Sequence, residues 1–196
     1  KKAIKELDKK DIAAITLADN SLANTRICNL SIASYLKNVI RTPLLLHLTG
    51  RDHNLIGLQS RLMGLDLLGL NNILAITGDP SKMGDFPGAT SVYDVNSFKL
   101  LSLIKQLNQG QSFSGASLKH QTDFTVAAAY NPNVKNIDRT NRLIEKKISA
   151  GADYFIKQPI FEASKFKQLA DVAQSYDTPF FVGIMPITSY NNAVFL

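Results

Sequence analysis

The chain has 196 residues, 45% of them hydrophobic, a formal net charge of +6 and a single cysteine, Cys28. That length supports one sizeable core, taken as a single domain over residues 1–196, and no run of about eighteen apolar residues is present to cross a membrane. One cysteine excludes an intramolecular disulfide, no signal-peptide pattern opens the chain, and the scattered basic residues accompany no nucleic-acid motif, so a cytoplasmic protein without nucleic-acid or membrane partners is expected.

The chain opens on a helix-like stretch, KKAIKELDKK, and reaches its first strand pattern at residues 12–17. The turn that follows, ADNSLANT, carries Asp19 and lacks the glycine-rich dinucleotide fingerprint of a doubly wound fold. A second strand pattern at 44–48 contains His47 and runs into Thr49, Gly50, Arg51 and Asp52. Leu55, Leu58, Leu62 and Leu65 then form an apolar helical stripe, closed by Gly69, with Gln59 and Arg61 on the polar face. The third strand, 73–76, ends abruptly in Thr77, Gly78, Asp79 and Pro80, before a long polar loop that reaches Tyr93. Residues 108–121 read as a mobile surface excursion to which no site is assigned. A fourth strand at 124–130 ends on Tyr130, and a helix over 138–149 closes on Lys146 and Lys147, residues that favour a helix carboxyl end. Strands at 154–156 and 180–184 complete six βα units, and the chain stops inside a helix-like SYNNAVFL. This alternation predicts an α/β fold with a parallel sheet, best built as an incomplete (β/α)8 TIM barrel. Eight strands are needed, so the first and last are expected to be missing, and the chain to be a piece of a longer protein.

In a barrel the chemistry sits at the carboxyl ends of the strands, where Asp19, His47, Asp79, Tyr130, Gln158 and Pro186 all fall. Each has a plain reading beside a functional one. Asp79 either accepts hydrogen bonds from a ligand ring or caps its turn. His47 is either a satisfied core histidine or a site residue. Gln158 suits a heterocycle edge, since an amide both donates and accepts, or it is a solvated strand end; alternation lets only one of Lys157 and Gln158 face the barrel interior. Tyr130 follows three alanines that leave room for a bulky group, though a core tyrosine needs no ligand. No metal-ligand spacing and no nucleophile elbow is present.

Taken together, ITLADNS, LHLTGRD, LGLNNILAITGDP, AAYNPN, EKKISAGADYFIKQPIFE and GIMPITS resemble the methylenetetrahydrofolate reductase family over nearly the whole chain. The segment SKMGDFPGATSVYDV is most similar to the reductase half of bifunctional proteins that also carry a homocysteine methyltransferase domain. The resemblance implies an enzyme with FAD that takes a hydride from NAD(P)H and reduces methylenetetrahydrofolate to methyltetrahydrofolate, so a folate is the expected small-molecule partner. It places Thr16, Leu17, Asp19, His47, Thr77, Gly78, Asp79, Tyr130, Lys135, Lys146 and Lys147 at the cofactor. It makes Asp79 a group that tunes the flavin and lies near the folate, with Gln158 and Tyr190 on the substrate. Thr77 stands where many members have arginine, Lys135 where histidine is frequent, and Lys157 where threonine is common.

The family's general-acid glutamate lies on a first strand that nothing before residue 12 supplies; Glu6, in a lysine-rich helical segment, is no substitute. The chain alone is therefore not expected to complete folate reduction, even if it binds flavin. Two other readings stay open: a flavin-free phosphate-binding barrel enzyme, and a non-catalytic scaffold that assembles with further copies through open sheet edges at residues 12–17 and 180–184.

Overall fold

The computed structural model describes residues 2–131 and 137–195. Helices and strands alternate as α1 (Lys2–Leu7), β1 (Ile15–Leu17), α2 (Asn29–Leu36), β2 (Leu44–Thr49), α3 (Leu55–Leu67), β3 (Asn72–Ile76), α4 (Ser97–Asn108), β4 (Thr125–Tyr130), α5 (Ile137–Ser149), β5 (Tyr154–Pro159), α6 (Ala163–Gln174), β6 (Phe180–Gly183) and α7 (Tyr190–Phe195). All neighbouring strands are parallel, and the sheet order is the chain order, β1 to β6. A doubly wound sheet would reverse its order at a switch point. Here each crossover steps the same way, and the sheet curls into part of a (β/α)8 barrel, as the alternation predicts.

The first strand is shorter than its apolar pattern. The Ile12 N–H donates to the Lys10 carbonyl at 3.0 Å, so the chain is still turning out of α1 and pairs only from Ile15. The excursion at 108–121, expected to be mobile, is closed on itself by an antiparallel bridge between Gln111 and Ser117 and tied to the helices by the Phe113 N–H donating to Gln59 Oε1 at 2.7 Å, by Gln106 Nε2 donating to the Ser112 carbonyl at 2.9 Å and by His120 against Asp66 at 2.9 Å. Helix α3 starts where the Asn54 side chain accepts from the Gly57 N–H, and α4 where Asn96 accepts from Lys99, each satisfying an otherwise orphaned donor of the first turn.

Strand alternation gives the sheet two apolar faces. Leu44, Leu46 and Leu48 of β2, with Ile73, Val126 and Phe155, meet α3 and α4 in the main core. The opposite, concave face carries a smaller cluster of Leu45, Leu74 and Ala127, flanked by Ile76, Ala129, Tyr154 and Ile156. Each fully buried leucine contributes about 1.5–3 kcal/mol, so the larger cluster dominates stability. The concave face instead forms the apolar wall that leads up to the polar strand ends. Among the described residues, no helix is long and apolar enough to cross a membrane.

Candidate functional site

At the end of β3 the backbone turns sharply. Thr77 Oγ1 accepts from the Ser97 N–H at 3.1 Å, which ties the strand end to the start of α4. Gly78 has φ 90, and a side-chain carbon there would lie 3.1 Å from Thr49 Cβ and 3.2 Å from Arg51 Cβ, so glycine satisfies both the backbone and the close approach of β2. Its carbonyl accepts from the Tyr93 hydroxyl at 3.1 Å. Asp79 follows with an exposed carboxylate, and its Oδ2 accepts from the Leu22 N–H at 3.2 Å.

The neighbouring end of β2 places His47 and Thr49 on the concave face, because Leu46 and Leu48 face the helices. Burial lowers the proton affinity of the His47 ring, partly opposed by the Asp19 charge. Thr49 Oγ1 is buried and has no partner among the described residues. Arg51 forms a two-pronged pair with Asp52, at 2.6 and 2.7 Å, and donates to the backbone carbonyls of Asp79 and Asn20, both at 3.1 Å. One guanidinium thus braces two strand-end turns at once.

On β1 the expected residues separate. Thr16 is exposed on the concave side, since Ile15 and Leu17 pack against the main core. Asp19 is buried: it accepts from the Thr49 N–H at 3.3 Å and pairs with Arg61 at 3.4 Å. Arg61, expected on a solvated helix face, instead turns inward to Asp19, to the Asn29 side chain and to His53. Asn29 in turn donates to the carbonyls of Leu17 and His47, at 3.2 and 2.9 Å. Asp19 is therefore a buttress behind the strand ends rather than part of their open face.

A second region lies at the ends of β4 and β5. Ala129, Leu143, Ile144 and Phe155 give a cavity of about 220 Å³ a mainly apolar wall, to which Tyr130, Asn131, Thr140, Lys147 and Gln158 add polar groups. Lys147 Nζ donates to the Ala129 carbonyl at 2.5 Å, and burial lowers its proton affinity. Lys146 is exposed, so the basic pair diverges. Tyr130 stands on the helix side, edge-on to Phe180 at 6.1 Å. Gln158 is exposed and Lys157 is buried, 3% accessible, on the opposite face. Lys157 Nζ has no hydrogen-bond partner among the described residues and lies 5.4 Å from the centre of the Tyr130 ring. Burial, reinforced by the Lys165 charge, pushes its pKa down to about 8. Tyr190, at the first position of α7, is 82% exposed. Lys135 lies outside the described residues.

The family model for methylenetetrahydrofolate reductase matches residues 2–196. The chain belongs to this family. It is 26% identical over 166 residues to a probable methylenetetrahydrofolate reductase (NADPH) of Caenorhabditis elegans, an alignment covering 83% of this chain and 23% of the relative. It is 25% identical over 168 residues to methylenetetrahydrofolate reductase 1 of Schizosaccharomyces pombe, covering 80% of this chain and 26% of that one. The chain thus spans about a quarter of the length of these relatives. In fold it is similar to an uncharacterized protein from Clostridium thermocellum that binds two copies of 5-methyl-5,6,7,8-tetrahydrofolic acid, with TM-score 0.65, 18% identity, and 99% of this chain and 64% of that one covered. A 2,3-dimethylmalate lyase shares the fold at TM-score 0.56 and 13% identity, with 98% of this chain and 66% of the lyase covered.

In this methylenetetrahydrofolate reductase-family chain, Arg51 and Asp52 were legible as a polar strand end and Tyr93 as the end of a loop, but their partners were not, and Asp85 was not singled out. Arg51, Asp52, Tyr93 and Asp85 act through contacts between loops far apart in the chain, which no local pattern encodes. Arg61 carried a local signal: it falls three residues after Leu58 and one before Leu62, on the margin of the buried stripe, where a long side chain can reach inward.

Proposed function

We propose that the chain is the flavin- and folate-binding barrel of an FAD-dependent methylenetetrahydrofolate reductase, acting on 5,10-methylenetetrahydrofolate with NAD(P)H in the cytoplasm, in a bifunctional protein with a homocysteine methyltransferase. The observation that carries this reading is the strand-end group itself. Thr16, His47 and Asp79 stand at the strand ends above the apolar cluster of Leu45, Leu74 and Ala127, a few fixed polar groups beside an apolar wall of the kind that suits a planar ring system.

When bound, FAD would supply hydride transfer between the reduced nicotinamide and the folate. The chain's own part is to bind, orient and tune. Asp79 would hold its carboxylate near a bound ring system, where negative charge would disfavour adding further electron density and so lower the flavin's electron affinity. His47, kept neutral by burial, can donate or accept one hydrogen bond without adding charge. Of the groups lining the cavity at β4 and β5, Lys147 is the cation that would meet an anionic diphosphate, while Gln158 offers paired donor and acceptor groups to a folate ring. None of the six strands carries a glutamate, so the general acid of the reduction is not supplied by their faces.

The deciding experiment is addition of FAD to the purified chain, followed by desalting and a visible spectrum. A bound-flavin spectrum is expected, with weaker retention in Lys147→Ala and no folate reduction on adding NAD(P)H and substrate. A colourless protein that still binds inorganic phosphate would favour the flavin-free barrel reading.

A further inference from the structure

We propose that residues 20–26, between β1 and α2, form a flap clasped against Asp79 Oδ2, with Asp85 as the positioning residue that holds it there. The contacts divide into a clasp and a plug. In the clasp, Asp85 accepts from the Thr25 N–H at 3.0 and 3.1 Å and from the Thr25 hydroxyl at 3.2 Å. Asn20 adds a second anchor: its side-chain amide donates to Asp52 at 3.2 Å and its carbonyl accepts from Arg51 at 3.1 Å. The plug is the Leu22 N–H, which occupies Asp79 Oδ2 at 3.2 Å.

The flap's backbone is not at rest in this position. Asn20, Leu22 and Ala23 all have left-handed φ, at 45, 55 and 57. Apolar burial gives little in return, since Leu22 is 43% exposed. Within the flap the Asn24 N–H donates to the Ser21 carbonyl at 3.2 Å, and the Arg26 N–H donates to Asn20 Oδ1 at 2.9 Å, which ties its two ends together. Those internal bonds close the loop, while its seat on the molecule is held by Asp52, Asp79, Asp85 and Arg51 from the β2 and β3 loops, together with the close approach of Ala23 to Gly84.

The flap leaves Asp79 Oδ1 open, so a ligand that takes both carboxylate oxygens must displace the Leu22 N–H from Oδ2. The ligand class is a planar heterocycle with a ring N–H or amino donor; that identity rests on the reading under Proposed function, whereas the clasp does not.

Amide-resolved hydrogen exchange on the purified chain tests the clasp without ligand. Asp85→Ala should speed exchange at Leu22 and Thr25 at least tenfold while amides of β2 and β3 keep their rates, and Thr25→Val, which removes one leg, should give a smaller rise. Unchanged exchange at Leu22 in Asp85→Ala, or an equal rise across β2 and β3, would overturn the proposal. With excess FAD, exchange at Leu22 should quicken while Thr25 stays slow, and FAD should associate at least threefold faster with Asp85→Ala. Greater protection of Leu22 by FAD, or equal association rates, also overturns it. If neither protein perturbs the flavin spectrum, the flavin reading fails, and ligand-free exchange alone decides the clasp.

Discussion

Lys157 is the residue most at odds with its surroundings, a buried ammonium whose nearest compensation is the face of the Tyr130 ring. Lys157→Met keeps the stem and removes the charge, so it should stabilise the fold by about 1–3 kcal/mol in urea denaturation at pH 7. The pH dependence has a definite sign. With a folded pKa of about 8 against an ordinary 10.5, the unfolded chain binds more protons in that window, so stability rises from pH 8 to 10.5. Lys157→Met should lack this rise; a rise of equal size would show that the amine is solvated. Histidines give the opposite end of the profile. Burial holds His47 and His53 below their ordinary 6.5, so the stability present above that pH is lost as acidity increases below it, and a His47→Gln, His53→Gln double variant should flatten the loss. At this scale the sequence was legible in parts. Alternation correctly restricted Lys157 and Gln158 to opposite faces, and the strand-end position of Asp79 was plain from Ile76, Thr77 and Gly78. The inward turn of Arg61 was not, because a helical stripe specifies which residues face the core but not how far a residue at its margin reaches.

Among the elements, strands were legible wherever the apolar run was continuous, and least so at β1, where the turn out of α1 consumes residues 12–14 that look equally strand-like. The loops were legible as loops only. Their shapes depend on partners some sixty residues away, as Asp85 and Thr25 illustrate, and hydrophobic period carries no information about such pairings. The seat of Ala23 against Gly84 makes a sharp prediction. A side-chain carbon at Gly84 would lie 1.8 Å from the Ala23 carbonyl oxygen, so Gly84→Ala must move the flap. We expect a loss of about 1–3 kcal/mol in thermal or urea unfolding, from overpacking. Unaltered stability together with unaltered Leu22 exchange would mean that the two loops do not press together in solution.

For the molecule as a whole, the open edges are the dominant feature. Strand β6 leaves Phe181 52% and Val182 36% exposed, and its outer backbone groups face no further strand among those described. Such an edge pairs with other chains unless covered. Sedimentation at rising concentration should therefore reveal self-association, and Val182→Lys should return the chain to monomer; a wild-type chain that stays monomeric throughout would rule out edge pairing. A sheet whose spatial order repeats its chain order also sets how the molecule comes together. Every strand finds its partner one βα unit away, so ordering each unit requires closing only a short stretch of chain and no distant segment must arrive first. The barrel can consequently grow outward from any adjacent pair of units, and during synthesis each strand can dock on the one just made.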